Sequence, residues 1–233
     1  MAGDKRLQKI FDSLLAAYGT RHWWPGETPL EVMVGAVLTQ NTSWKNVEKA
    51  ISSMKRQGAM SLPALAAMEE KGLAEIIRSA GFYNVKARRL KNLIHFIGEK
   101  FDGKIESMAE EGLPGLRDLL LGINGLGPET ADSILLYALQ KPVFVVDAYT
   151  KRFLTNHGLY CKSTDYHEIQ RYFQERLAPD TYLYNEFHAL IVVLCQTYCR
   201  KQPLCDQCPL GSDLDGKEAR NRRPSQGRPP RNK

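Results

Sequence analysis

Long apolar runs are scarce in this sequence. The longest, such as Val143 to Val146 and Ala189 to Cys195, fall well short of the roughly 18 residues a membrane span needs, which excludes a transmembrane protein. The opening stretch, Met1 to Gln8, mixes charge with polarity and lacks the apolar core and small-residue cleavage site of a secretory signal, so a cytoplasmic protein is expected. Alternating apolar and polar strand patterns are also wanting, which argues against a β-rich fold. Cysteine is limited to five residues, Cys161, Cys195, Cys199, Cys205 and Cys208, an odd number with the last four crowded into fourteen positions. In a reducing compartment that crowding favours a metal centre over disulfides. Cys161 stands alone and reads as a buried thiol.

What is present is a chain of 233 residues, 43% apolar and 25% charged, enough for one large domain or two small lobes. The net charge of +6 would suggest a nucleic-acid partner if it were spread over the fold. It is not: seven of the 32 basic residues and one of the 26 acidic ones lie within 217–233, leaving 25 of each elsewhere. The body is neutral. The stretch 211–233, rich in Arg, Pro and Gly, reads as a disordered tail able to touch phosphates, and equally as a solubilising extension.

Helix punctuation recurs almost everywhere. Thr28-Pro29-Leu30-Glu31 reads as a capping box with proline at the first helical position, followed by Leu30, Met33, Val34, Val37 and Leu38 at helical spacing. Val47, Ala50, Ile51 and Met54 repeat the pattern, as do Leu90, Leu93, Ile94 and Ile97, and Leu116, Leu119 and Leu120. Ser61-Leu62-Pro63 opens one helix and Gly81 closes another. About ten helices joined by short loops predict an all-α fold, with residues 143–146 as the one extended segment.

Two features carry chemistry. The run from Leu121 to Ala131 joins two apolar helices through Gly125-Leu126-Gly127, with Pro128 opening the second helix, whose first amides are free to bind an anion such as a DNA phosphate. An ordinary helical hairpin closed by glycines would look the same. The run Val143-Phe144-Val145-Val146 then holds Asp147 ahead of another helix, where it could merely be a cap.

Together these residues resemble the helix-hairpin-helix superfamily of DNA glycosylases, the endonuclease III-like enzymes. The similarity spans about Trp23 to Leu210 and includes Leu38-Thr39-Gln40-Asn41-Thr42, the run Asn185 to Ile191, and the cysteine cluster. The resemblance implies two lobes, 1–25 with 142–210 and 26–141, the latter carrying the hairpin over 116–139, and a C-terminal cysteine-cluster loop. It implies a cleft with the hairpin on one side and Gln40 on the other. DNA contacts would come from Gln40, Asn41, Gly125, Leu126, Gly127 and Thr130. The partner implied is double-stranded DNA bearing a damaged base, met by a monomer in the nucleoid. A nucleotide is flipped out and its N-glycosidic bond cut, with Asp147 stabilising positive charge on the sugar and orienting or deprotonating water.

Bifunctional members carry a lysine two residues after the second hairpin glycine. This chain has Glu129 there, which cannot form the imine of the lyase step. Glu129 either faces the flipped nucleotide or serves as a first-turn dipole partner. The subfamily most resembled is 3-methyladenine DNA glycosylase III, through Trp23-Trp24-Pro25 and Trp44. An alkylated purine carries delocalised positive charge that aromatic faces attract, so these residues predict a base pocket, with Trp24 and Trp44 foremost and core packing as the plain alternative for Trp23. Cys199, Cys205 and Cys208 approximate the family's cluster loop, and Cys195, one turn before Cys199, substitutes for the fourth ligand. The resemblance implies a [4Fe–4S] cluster; zinc or free thiols are the alternatives. The expected activity is release of alkylated purines without lyase action. A glycosylase for a mismatched or oxidised base, and a noncatalytic DNA-binding protein, are the competing readings.

Overall fold

A computed structural model of the chain describes residues 4–160 and 163–214. Cys161 and the stretch 215–233, most of the expected tail, lie outside the described residues. The fold is all-α, with twelve α-helices and no strand among the described residues, and none of its helices is long and apolar enough to cross a membrane. Contacts divide the chain into a central unit, His22–Val145, and a terminal unit made of Met1–Arg21 with Val146–Lys233. The sequence instead divides the lobes at 25/26 and 141/142, so Trp23, Trp24 and Pro25 belong with the central unit.

The central unit is built around α2 (Pro29–Leu38), in which nine of ten residues are buried. The Thr28 hydroxyl accepts the Glu31 amide at 3.2 Å, while the Glu31 carboxylate accepts the Glu27 amide at 3.3 Å and pairs with Lys55 at 2.8 Å. The capping box thus forms with its return bond shifted one residue outward. Around α2 pack α3 (Trp44–Arg56), α6 (Tyr83–Phe101) and α9 (Pro128–Ser133), which runs on into a π-helical turn, Ile134–Ala138. Short helices α4 (Leu62–Ala67), α5 (Glu70–Ile76), α7 (Ile105–Glu110) and α8 (Leu113–Leu121) complete the unit. The predicted stripes on α3 and α6 are buried in full; on α8 only Leu116 and Leu120 are, and Leu119 is exposed.

The terminal unit pairs α12 (Thr181–Thr197) with α1 (Lys5–Tyr18) and α10 (Ala148–Asn156), with α11 (Tyr166–Gln174) alongside. Asp4, Asp165 and Asp180 cap α1, α11 and α12 through their carboxylates. Phe187 meets Phe11 and Phe173 edge-on at 5.5 and 5.9 Å between ring centres, making the core. Residues 211–214, assigned to the expected tail, belong to the fold. Gly211–Asp213 forms a 3₁₀ turn, and the Asp213 carboxylate accepts from Arg6 Nε at 3.1 Å and lies 3.0 Å from His157 Nδ1. Burial raises the Asp213 pKa, but Arg6 and His157 outweigh it and hold the carboxyl below its ordinary range.

Candidate active site

Residues 143–146 are buried, and Asp147 follows in extended conformation as the N-cap of α10. Its Oδ1 accepts the Thr150 amide at 2.7 Å and the Thr150 hydroxyl at 2.9 Å, while Oδ2 lies 3.6 Å from Nε2 of His188 on α12. Burial acts to raise the Asp147 pKa. The His188 imidazole and the Thr150 hydrogen bonds outweigh it, so the carboxyl sits below its ordinary value and is ionised at neutral pH. The cap and the candidate catalytic group are therefore one residue: Oδ1 is engaged by the helix, and Oδ2 faces His188. Thr150 and His188 were not singled out by sequence. Thr150 sits three residues after the carboxylate, the usual cap spacing, whereas His188 is brought close only by the packing of α10 on α12.

The hairpin lies in the central unit. Leu126 is buried and plugs the core below the turn. Only Gly125 has positive φ, +96°; Gly127 is extended at φ −94° with open space around it. Thr130 is buried as well, so neither Leu126 nor Thr130 presents its side chain at the surface. Gln40 lies beside the hairpin in the same unit, a correction to the expectation that it stands opposite. Its Nε2 donates to the Gly125 carbonyl at 3.2 Å and to Thr130 Oγ1 at 2.8 Å, which ties the end of α2 to the turn. Asn41 is exposed with φ +54°, and Glu129 is exposed in the first turn of α9. Beneath the hairpin, Arg117 of α8 grips the fully buried Asp132 of α9 through two bonds of 2.7 and 3.0 Å.

Trp23, Trp24 and Trp44 come together in the central unit. Trp24 is edge-on to Trp44 with ring centres 5.2 Å apart, and Trp23 lies 5.7 Å from Trp24 and 5.9 Å from Trp44. A fourth ring, Tyr137 from the π turn, packs 5.3 Å from Trp24 and has no local sequence signal of its own. Trp24 rests on α2 at Gly35, where a Cβ would come within 3.0 Å of its Nε1. Trp44 Nε1 donates to Glu48 at 2.7 Å. Pro25 is exposed and turns the chain, with the Gly26 amide bonded to the Trp24 carbonyl at 2.9 Å.

In the terminal unit, Cys199, Cys205 and Cys208 line one narrow cavity, and Cys195 is hydrogen-bonded to Cys199. Asn156 Nδ2 donates to Cys199 Sγ at 3.2 Å, and Cys195 Sγ donates to the Tyr149 carbonyl at 3.5 Å. The bond to Cys199 and burial push the Cys195 thiol up against a smaller opposing pull from Arg152, and burial pushes Cys208 up to about 11. Among the described residues no three metal-binding side chains are grouped around a single ion.

Comparison with known proteins matches residues 34–179 to the family model of HhH-GPD superfamily base excision DNA repair proteins. A Methanocaldococcus jannaschii protein named "Putative DNA repair glycosylase MJ1434" is 50% identical over 206 residues, covering 88% of this chain and 93% of the relative. An endonuclease III of Sulfolobus acidocaldarius is 30% identical over 76% of this chain and 77% of its own length. The crystal structure of H. pylori 3-methyladenine DNA glycosylase bound to 1,N6-ethenoadenine aligns with TM-score 0.71 and 32% identity, over 80% of this chain and 95% of that one. A trapped endonuclease III–DNA covalent intermediate shares the fold with TM-score 0.77 at 20% identity, over 95% and 100% of the two chains. The chain belongs to the HhH-GPD superfamily of base excision DNA repair proteins and is a DNA glycosylase of that family.

Proposed function

We propose that this glycosylase releases alkylated purines such as 3-methyladenine from duplex DNA and does not cleave the strand. The observation that carries this reading is the aromatic cluster: three indoles and a phenol gathered in one unit, an environment that attracts a cationic purine by stacking and cation–π forces worth roughly 0.5–2 kcal/mol per ring when desolvated. The likeness to a 3-methyladenine glycosylase holding a modified adenine supports it. Such a base is a good leaving group, so the demand falls on the sugar. As the N-glycosidic bond breaks, the base leaves with the bonding electrons, the ionised Asp147 stabilises positive charge at C1′, and water adds there with loss of a proton. Glu129 stands where an imine-forming lysine would be needed, and a carboxylate cannot supply that chemistry.

The cysteine loop, with Cys195, Cys199, Cys205 and Cys208 as ligands, fits a [4Fe–4S] cluster, which would cross-link the loop to α12. Purified protein is then expected to be brown, with absorbance near roughly 400 nm; colourless protein with stoichiometric zinc overturns this assignment. The substrate reading is tested by incubating the protein with duplexes bearing individual lesions and identifying the bases released. Trp44→Ala should lower release of a positively charged methylpurine about tenfold more than release of a neutral lesion. Equal losses would sink the alkylpurine reading. Borohydride should trap no covalent adduct, and a trapped adduct would show that another amine performs a lyase step.

A further inference from the structure

The face of α6 turned towards the hairpin carries three polar residues at successive turns, Lys86, Arg89 and Asn92. Lys86 is almost wholly buried and donates to the Leu38 carbonyl at 2.8 Å and the Ala80 carbonyl at 2.7 Å, fixing the end of α2 just before Gln40. Arg89 Nη1 donates to Gln40 Oε1. Asn92 Nδ2 donates to the Asn124 carbonyl at 2.9 Å. Arginine can only donate and a carbonyl can only accept, so the Gln40 amide has a single orientation: oxygen towards Arg89, nitrogen towards Gly125 and Thr130. The Arg89 stem also lies directly under the hairpin glycine. A Cβ on Gly125 would come within 2.9 Å of Arg89 Cδ and Nε, and the backbone there has φ +96°.

From this arrangement we infer that Arg89 is a positioning residue for DNA binding, setting the hairpin turn through Gln40 and through its seat beneath Gly125. The carbonyls of Asn124 and Gly125 are drawn inward by Asn92 and Gln40, which commits the turn to one conformation before any DNA arrives. A turn held in advance loses less conformational freedom on binding, and that preorganisation reaches the DNA without Arg89 touching a phosphate. Gln40 thereby has a second part to play, as the link between α6 and the hairpin.

The test is the affinity of the full-length protein for a duplex bearing a tetrahydrofuran abasic-site analogue, measured over a range of KCl concentrations. Wild-type binding with a clear salt slope is the condition for the family's DNA-binding function, and its absence would be a failure of that function, separate from this inference. Arg89→Met is expected to weaken binding about tenfold while leaving the slope of log affinity against log salt unchanged, because geometry is lost and no phosphate contact is. Gln40→Ala should weaken it similarly, and the double variant should be no worse than either, since each change breaks the same relay. A slope reduced by about one unit would make Arg89 a direct phosphate contact, and additive losses or unchanged affinity would equally overturn the inference. Should Arg89→Met unfold in a thermal melt, Arg89→Lys takes its place. It keeps the charge but not the planar fork, so the loss should persist, whereas a phosphate contact would survive the exchange.

Discussion

The hairpin region of the central unit and the Asp147 region of the terminal unit both bury charged groups in helical surroundings, and they do so to opposite ends. Around the hairpin two charged donors are engaged by neutral acceptors, Lys86 by the Leu38 and Ala80 carbonyls and Arg89 by the Gln40 amide, and Arg117 is paired with Asp132 below. Around Asp147 the charge is an acceptor, with Oδ1 engaged by Thr150 and Oδ2 facing an imidazole. Charge in the first region is consumed in fixing a backbone conformation. In the second, hydrogen bonds maintain a carboxylate that still carries its charge. On the proposed function, a recognition element needs shape and a site that stabilises a cation needs net charge, and the two arrangements match those two needs.

The most severe way to break this contrast is to remove the charge of Asp147. Asp147→Asn is expected to lower base release about a thousandfold while leaving duplex binding and the start of α10 nearly intact, because asparagine also caps helices. Single-turnover release beside a binding isotherm reads both effects, and undiminished release would place the chemistry elsewhere. In the hairpin region the counterpart is Arg117→Met, which removes the paired cation from the fully buried Asp132. Its expected effect is a loss of about 3–5 kcal/mol in stability, measured by urea unfolding, with no preference for one lesion over another.

A gentler comparison uses pH. Burial, followed by the nearby Arg89, lowers the Lys86 pKa to about 8 from an ordinary 10.5. Between those values the unfolded chain binds more protons than the folded one, so this lysine makes stability rise as pH increases through that window. Lys86→Met should flatten the rise in a series of thermal melts, and an unchanged profile would show that Lys86 titrates normally. Asp147 has the same sign in a lower window: its folded pKa is depressed, so its contribution is present above the ordinary carboxylate range and disappears as pH falls through the lower folded value.

The helices were legible because their signals are local. Thr28 and Ser61 each announce a helix within four residues, and the buried stripes follow their periodicity. The pair of glycines marked the hairpin but not which of them carries the unusual backbone. The first helix, α1, drew no expectation, because its charged opening masks the stripe of Leu7, Ile10, Phe11 and Leu14 that it buries. Least legible were partners far apart in sequence. Gln40 finds Thr130 across 90 residues and Arg89 across 49, and Tyr137 reaches Trp24 from a π turn that an apolar helical stripe does not foretell. Asp213 likewise escaped notice in a polar stretch, although Arg6, 207 residues away, holds it in the fold.

The glycine beneath Trp24 sets a conflict between robustness and selectivity. Inside a buried helix, glycine is roughly 1 kcal/mol worse than alanine, so Gly35→Ala would by itself make α2 a firmer helix. The added methyl group would press on the indole, and through it on Trp44, Trp23 and Tyr137. Efforts to make this protein more heat-resistant by raising helix propensity would therefore meet Gly35 as an exception, a position where a gain in stability is drawn from the shape of the aromatic cluster.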